Sequence, residues 1–439
     1  MTPPVRPPAP SCTLGPAESS TMPRHLAFVE ANTTGTGMIA LRTAREAGFV
    51  PVFLTSDATR YTGLDGTGAE VVLCDTNTPA ALRAALDSLP AGSLAGITTT
   101  SEFYVPAVAQ MALELGLPGN PPDAVRRARD KAQVRAALVA AGVPQPRFAV
   151  ARTPDELDDA VSRVGLPCVV KPVDDSGSQL VRRCLTRAEV NEHADRVLAV
   201  RTNVRGQEAA GAVLLEEFLD APEYSVETFS VAGEHTCVGI TRKSVTSGPH
   251  FVETRHIYPA PLDDEQRAML RRAATDALRA LDIQNGPCHI EVKLTDTGAT
   301  LIELNPRLAG GMIPELIRLA EGVDLLDQQI HAASGGTPDL RPRHRGCAGV
   351  AFLLPTTTGT LRRITGATEA AALPDVERVT VTGTPGRRVR PAQSAYDRLG
   401  SVIARGGHPG EVEATLDKAL ALLGIDVDGQ EVISFGGDM

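Results

Sequence analysis

The run "LIELNPRLAGG", Leu301 to Gly311, sets a carboxylate, an amide and a guanidinium on alternate residues: Glu303, Asn305 and Arg307. Alternate residues of a strand share one face. Just upstream, "HIEVKLTDTGAT" offers a hairpin turn at Asp296-Thr297-Gly298, built from the residue types such turns need. Symmetric pairing about Thr297 sets Glu291 opposite Glu303 and Lys293 opposite Leu301. Two carboxylates facing one another across a strand pair repel unless a cation lies between them. With the Asn305 amide oxygen they form an all-oxygen set suited to Mg²⁺ or Mn²⁺ bridging phosphates. Arg307, next on that face, is then free to clamp a phosphoryl group or an oxyanion. The plainer alternative is a solvated polar face in a different register.

A metal–phosphate site also needs cations on the phosphates and a backbone that can close over them. Lys171 ends the apolar strand "CVVK", and the loop "DDSGS" follows at once. Gly177 lets the backbone approach a phosphate, and Ser176 and Ser178 add donors. Lys131, in "RARDKAQVRAAL", reads by itself as a surface helix lysine. The segment "LLEEFLDAPEYSVE" enters Glu216 from an apolar run. Its carboxylate or neighbouring backbone carbonyls can meet an adenine amino group, and Glu223 can meet ribose hydroxyls.

These groups must be held by regular elements, and the pattern supplies them. "HLAFVEA", "MIALRTAREAG" closed by Gly48, and "VPVFLTS" read as strand, helix and strand. The alternation continues to "LAGITTTSE", so residues 24–118 form a Rossmann-like doubly wound α/β domain. Residues 119–150 hold a linker helix over Asp123–Ala141, with Asp123 as its N-cap. An α+β domain follows over 151–344, with a lid at about 151–215, and a small α+β domain occupies 345–439. "TGTGMIA" gives Gly35, Gly37 and Ala40, with Asp57 ending the next strand. That is a dinucleotide fingerprint on paper, and equally what a tight strand–helix turn requires.

Composition narrows the class. The chain has 439 residues, 42% apolar and 22% charged, which is ordinary for a globular protein of two or three domains. A net charge of −10, 3% aromatics and no Trp argue against a nucleic-acid partner. Seven scattered Cys without a CxxC pair read as free thiols of a reducing compartment. There is no membrane-length apolar run and no signal-peptide core, so a cytoplasmic protein without a membrane partner is expected. The Pro/Ser/Thr-rich residues 1–23 read as a disordered tail, with Met22 a candidate start.

Taken in order, these motifs resemble the ATP-grasp superfamily: a lysine before the domain (Lys131), "VVKP" with its Gly/Ser loop, "EEFL…E" and "E…ELNPR". Within it the chain looks most like the L-amino acid ligases and dapdiamide-synthetase-like amide ligases. "VEANTTGTG", "TTSEFYVPAVAQMALELGLPGN", "HFVETRHIYPAPL" and "NPRLAGGMIPELI" carry that likeness. The resemblance implies an ATP-grasp fold and a carboxylate–amine ligase working through an acyl phosphate. It implies that Lys131, Lys171 and the loop Ser176, Gly177 and Ser178 bind ATP phosphates. Glu216, Glu217, Phe218 and Leu219 would take adenine and Glu223 the ribose, while Glu291, Glu303 and Asn305 hold two Mg²⁺ ions. Arg307 would steady the acyl phosphate and the tetrahedral intermediate, and Glu102 and His256 would face the amino-acid substrate. Small-molecule acids and amines are the expected partners, and homodimers are common in the family. The rival expectations are an ATP-dependent carboxylase of the biotin-carboxylase or purine-pathway type, and a non-catalytic nucleotide-binding subunit.

Overall fold

The computed structural model describes residues 23–33 and 36–428 and the short strand Ile433–Ser434. Gly35 and the tail through Met22 lie outside the described residues.

The N-terminal sheet is parallel, in the order Glu70–Leu73, Val50–Thr55, His25–Val29, Leu94–Thr98. Every residue of the strand His25–Val29 is buried, and its apolar run Leu26–Val29 suits a strand covered on both faces. The helix Gly37–Glu46 starts against that strand's end, where a Cβ on Gly37 would stand 2.6 Å from the Asn32 carbonyl oxygen. The glycine is therefore demanded by packing, which accounts for it without a dinucleotide.

The expected linker helix is broken in two, Pro122–Arg129 and Lys131–Ala140. Asp130 adopts extended backbone, and its carboxylate accepts from the N–H groups of Ala132 and Gln133. It caps the second helix, while Asp123 sits in the first turn of the first. The break makes Lys131 the first residue of a helix, with its N–H donating to Val173 O at 2.8 Å.

The lid is an antiparallel sheet ordered Phe148–Ala151, Val213–Glu217, Cys168–Pro172, Arg182–Cys184. Helices Pro154–Val164 and Arg187–Leu198 bury their apolar stripes against it. The main sheet has eight strands, ordered Gly298–Asn305, Gly286–Thr295, Glu223–Val231, Glu234–Val245, Glu253–Tyr258, Cys347–Leu353, Gly400–Gly406 and Val376–Val381. It runs through the division expected at residue 344, because Glu253–Tyr258 pairs directly with the fully buried strand Cys347–Leu353.

The hairpin of interest departs from symmetry in an informative way. Thr295 pairs with Gly298 and Lys293 with Thr300, so the turn is Asp296-Thr297 and Lys293 does not face Leu301. A bulge then makes Ile302 an extra residue, since Val292 pairs with Leu301 and Glu291 with Glu303. The two offsets cancel. Glu291 and Glu303 are register partners.

Candidate active site

A cleft of about 250 Å³ lies among the lid, the main sheet and the C-terminal strand ends of the N-terminal domain. It is lined by the loop Ser176–Ser178, the segment Glu216–Leu219, and Lys131, Lys171, Glu223, Glu291, Glu303, Asn305, Arg307 and Glu102. Residues more than 200 apart in sequence are thus assembled around one space.

On the lid wall, Glu216 is bound by Arg135 Nε and Lys171 Nζ, each at 2.7 Å. Burial opposes its ionisation, yet those two cations hold its pKa down to about 2. Its carboxylate is therefore engaged by protein, which leaves the main chain of Glu216–Leu219 as the polar edge of this wall. Phe218 stacks near Phe251, centroids 6.0 Å apart, and Lys293 Nζ donates to Leu219 O at 2.9 Å. Glu217 points to the rim, where it pairs with Arg147 at 3.1 Å. Gly177 has φ +73°, and a Cβ there would meet the Tyr396 ring at 3.0 Å.

Arg135 is the residue that sequence reading missed most plainly. Its guanidinium is buried and donates to the carbonyls of Leu301 and Ile302 at 3.0 and 2.6 Å. Those are the carbonyls of the bulge. One side chain therefore ties the hairpin's register to Glu216 on the opposite wall. The available signal was an arginine beside Val134 and three residues before Leu138, both buried on the inner face of that helix.

Beyond the bulge, Lys131 Nζ lies 3.5 Å from Glu303 and donates to Asp175 O at 2.7 Å. It links the hairpin to the glycine loop. The Asn305 side-chain amide lies 3.2 Å from both Glu303 and Glu102. Glu102 is buried between Arg307, whose Nε pairs with it, and Arg129 at 3.0 Å. Burial opposes its charge, but Arg307, Arg129 and Lys131 outweigh that and hold its carboxyl below the usual range.

On the main sheet, Lys243 Nζ sits among three carboxylates: Glu291 at 2.5 Å and Glu223 and Glu253 at 3.0 Å each. Burial disfavours its charge, yet the three acids keep it firmly protonated. Burial likewise opposes the Glu291 carboxylate, but Lys243 and His289 hold it well below the usual range. Lys243 shares one strand face with buried Thr241.

His256 does not line the cleft. It is 1% exposed, its Nδ1 lies 3.1 Å from Gly311 O, and its ring meets Phe352 edge-on. Its Nε2 lies 3.4 Å from Glu253. The strand Glu253–Tyr258 turns this side chain behind the Gly311 wall, which it supports.

Among the described residues no three His, Cys, Asp or Glu side chains form a ready-made metal cage. The donors present are two carboxylates and an amide beside a lysine-lined space, all oxygen and open on one side. That fits Mg²⁺, which is commonly held by one or two carboxylates plus phosphate oxygens.

Comparison with known proteins places this architecture. The ATP-grasp domain family matches residues 164–315, and the L-amino acid ligase C-terminal domain 2 matches residues 351–428. The uncharacterized protein y4rH of Sinorhizobium fredii is 34% identical over 389 residues, 88% of this chain and 80% of that protein. The chain belongs to the ATP-grasp superfamily. The crystal structure of L-amino acid ligase from Bacillus licheniformis shares this ATP-grasp fold with a TM-score of 0.80, at 24% identity, over 92% of this chain and 99% of that one. Alanine–anticapsin ligase of Bacillus amyloliquefaciens is 32% identical over 248 residues. That match takes in 52% of each chain, so it spans about half the length of that relative.

Proposed function

We propose that this chain is an ATP- and Mg²⁺-dependent ligase that joins an amino or small organic acid to an amine or amino acid, giving a dipeptide or pseudo-dipeptide. The observation that carries this reading is the pairing of Glu291 with Glu303 across the bulged hairpin, in one cleft with Lys131, Lys171 and the glycine loop. The ligase names of the relatives and the L-amino acid ligase type of C-terminal domain support it.

In this reading ATP lies with adenine against the main chain of Glu216–Leu219 and the Phe218 face, and its ribose near Glu223. Lys131, Lys171 and the Ser176–Ser178 loop take the phosphates. Glu291, Glu303 and Asn305 would hold Mg²⁺, which neutralises phosphate charge when bound. A substrate carboxylate oxygen attacks the γ-phosphorus, the bond to the bridging oxygen breaks, and ADP leaves. The amine of the second substrate attacks the acyl carbon and expels phosphate, losing its proton as the amide forms. Arg307 offers a fixed donor to the oxyanion of that step, oriented by its pair with Glu102. His256 positions Glu253 and the Gly311 wall.

The test is a screen of amino-acid pairs for ADP release with mass detection of product. Equal amounts of ADP, phosphate and condensed product are expected. ADP release driven by bicarbonate with no amine present would contradict the reading and favour a carboxylase.

A further inference from the structure

We infer that Arg205, carried by the lid, binds the free carboxylate of the amino-acid nucleophile, the one carboxylate the reaction leaves intact. This rests on the proposed ligase reading and deepens it.

Arg205 lines the cleft and is only 7% exposed. A buried guanidinium is ordinarily matched by an acid. Arg205 has none within ion-pair distance among the described residues. Its Nη1 donates to Tyr61 Oη at 3.0 Å and its Nη2 to Ala31 O at 2.8 Å, two of five N–H donors. The nearby acids are taken. Glu102 holds Arg129 and Arg307, and Glu30 accepts from Thr55, Ser56, Thr76 and Tyr61. The Tyr61 hydroxyl therefore gives its proton to Glu30 and accepts from Arg205, which orients the guanidinium without neutralising it.

The loop around Arg205 is built to present it. Thr202 and Glu208 form a bridge, Gly206 turns at φ +75°, and Asn203 Oδ1 accepts from the N–H groups of Arg205 and Gln207 at 2.9 and 3.2 Å. The loop is docked on the N-terminal domain: Asn77 Nδ2 donates to Arg205 O at 2.9 Å, and Gln207 Nε2 to Phe103 O at 3.1 Å. Arg205 thus stands on the same wall as Asn32, Thr100 and Glu102. The first substrate's carboxylate is consumed beside Arg307, so the anion left for Arg205 is the second substrate's own. The lid also carries the glycine loop, so nucleotide and nucleophile are gripped by one body.

The test measures ADP release by the full chain at saturating ATP, with an amino-acid nucleophile and with its α-amide, for wild type, Arg205→Met and Arg205→Lys. Loss of a charge-assisted pair is expected to raise the amino-acid KM by roughly 10- to 100-fold in Arg205→Met, with kcat nearly unchanged. The KM for the amide and for ATP should move less than about twofold, and Arg205→Lys should fall between. Equal losses for acid and amide, a rise confined to ATP, or no change would each overturn the assignment. Should Arg205→Met not fold, the acid-to-amide ratio of Arg205→Lys decides alone. Wild type that releases no ADP with any amino-acid pair would instead refute the ligase reading itself, and this inference with it.

Discussion

Glu216 and Glu303 stand on opposite walls of one cleft, and the protein treats them differently. Glu216 has a side chain 4% exposed and two cations at 2.7 Å, with every oxygen engaged. Glu303 is 24% exposed and meets one lysine at 3.5 Å. A carboxylate of the first kind is a finished structural joint, since breaking a buried pair strands a charge. One of the second kind keeps its lone pairs available. The difference separates the residues that fix the site's shape from those left free to do chemistry, although both are glutamates lining the same space.

The sharpest break in that comparison is Glu303→Gln. Its amide keeps the volume and removes the charge, so ADP release should fall on the order of 10²–10³-fold while the thermal midpoint stays within about 2 °C. Unchanged turnover would move Glu303 out of the reaction. Arg135→Met attacks the finished joint instead. It strips the bulge carbonyls and Glu216 of their donor, and urea unfolding should show a loss of about 3 kcal/mol. A loss below about 1 kcal/mol would mean that the bulge does not depend on it.

Acid titration separates the two walls further. The pKa of Glu216 is depressed to about 2 in the folded chain, so its contribution is complete above the ordinary carboxyl range and is lost as pH falls toward 2. Between pH 5 and 3 wild type should lose about 2 kcal/mol more than Glu216→Gln. Parallel curves would contradict that. The smallest effect belongs to Gly177→Ala. At φ +73° and 3.0 Å from Tyr396, alanine should destabilise by about 1 kcal/mol and raise the ATP KM several-fold.

Local pattern decided what the sequence made legible. Several cleft-lining groups sit in short motifs: alternation alone put Glu303, Asn305 and Arg307 on one face, and Lys171 stood out at the end of an apolar strand. The Glu291–Glu303 pairing was reached through a wrong turn register, because a bulge at Ile302 compensated for it. The partners of the buried cations were hidden. Arg135 meets carbonyls 166 and 167 residues away, and Lys243 gathers acids from three other strands. Nothing local announces such partners. The burial of His256 was hidden for another reason, since a histidine in a polar-looking strand gives no hint of which face is turned to the core. Asp130 is of a type that caps helices, but the apolar periodicity on both sides of it concealed the change of helix.

In the proposed reaction ATP activates a carboxylate. The decisive experiment supplies an acid substrate labelled with ¹⁸O in both carboxylate oxygens and analyses the released phosphate by mass. Attack of that carboxylate on the γ-phosphorus predicts one ¹⁸O in each phosphate, and loss of labelled phosphate in Glu303→Gln. Unlabelled phosphate, or release of AMP in place of ADP, would contradict it.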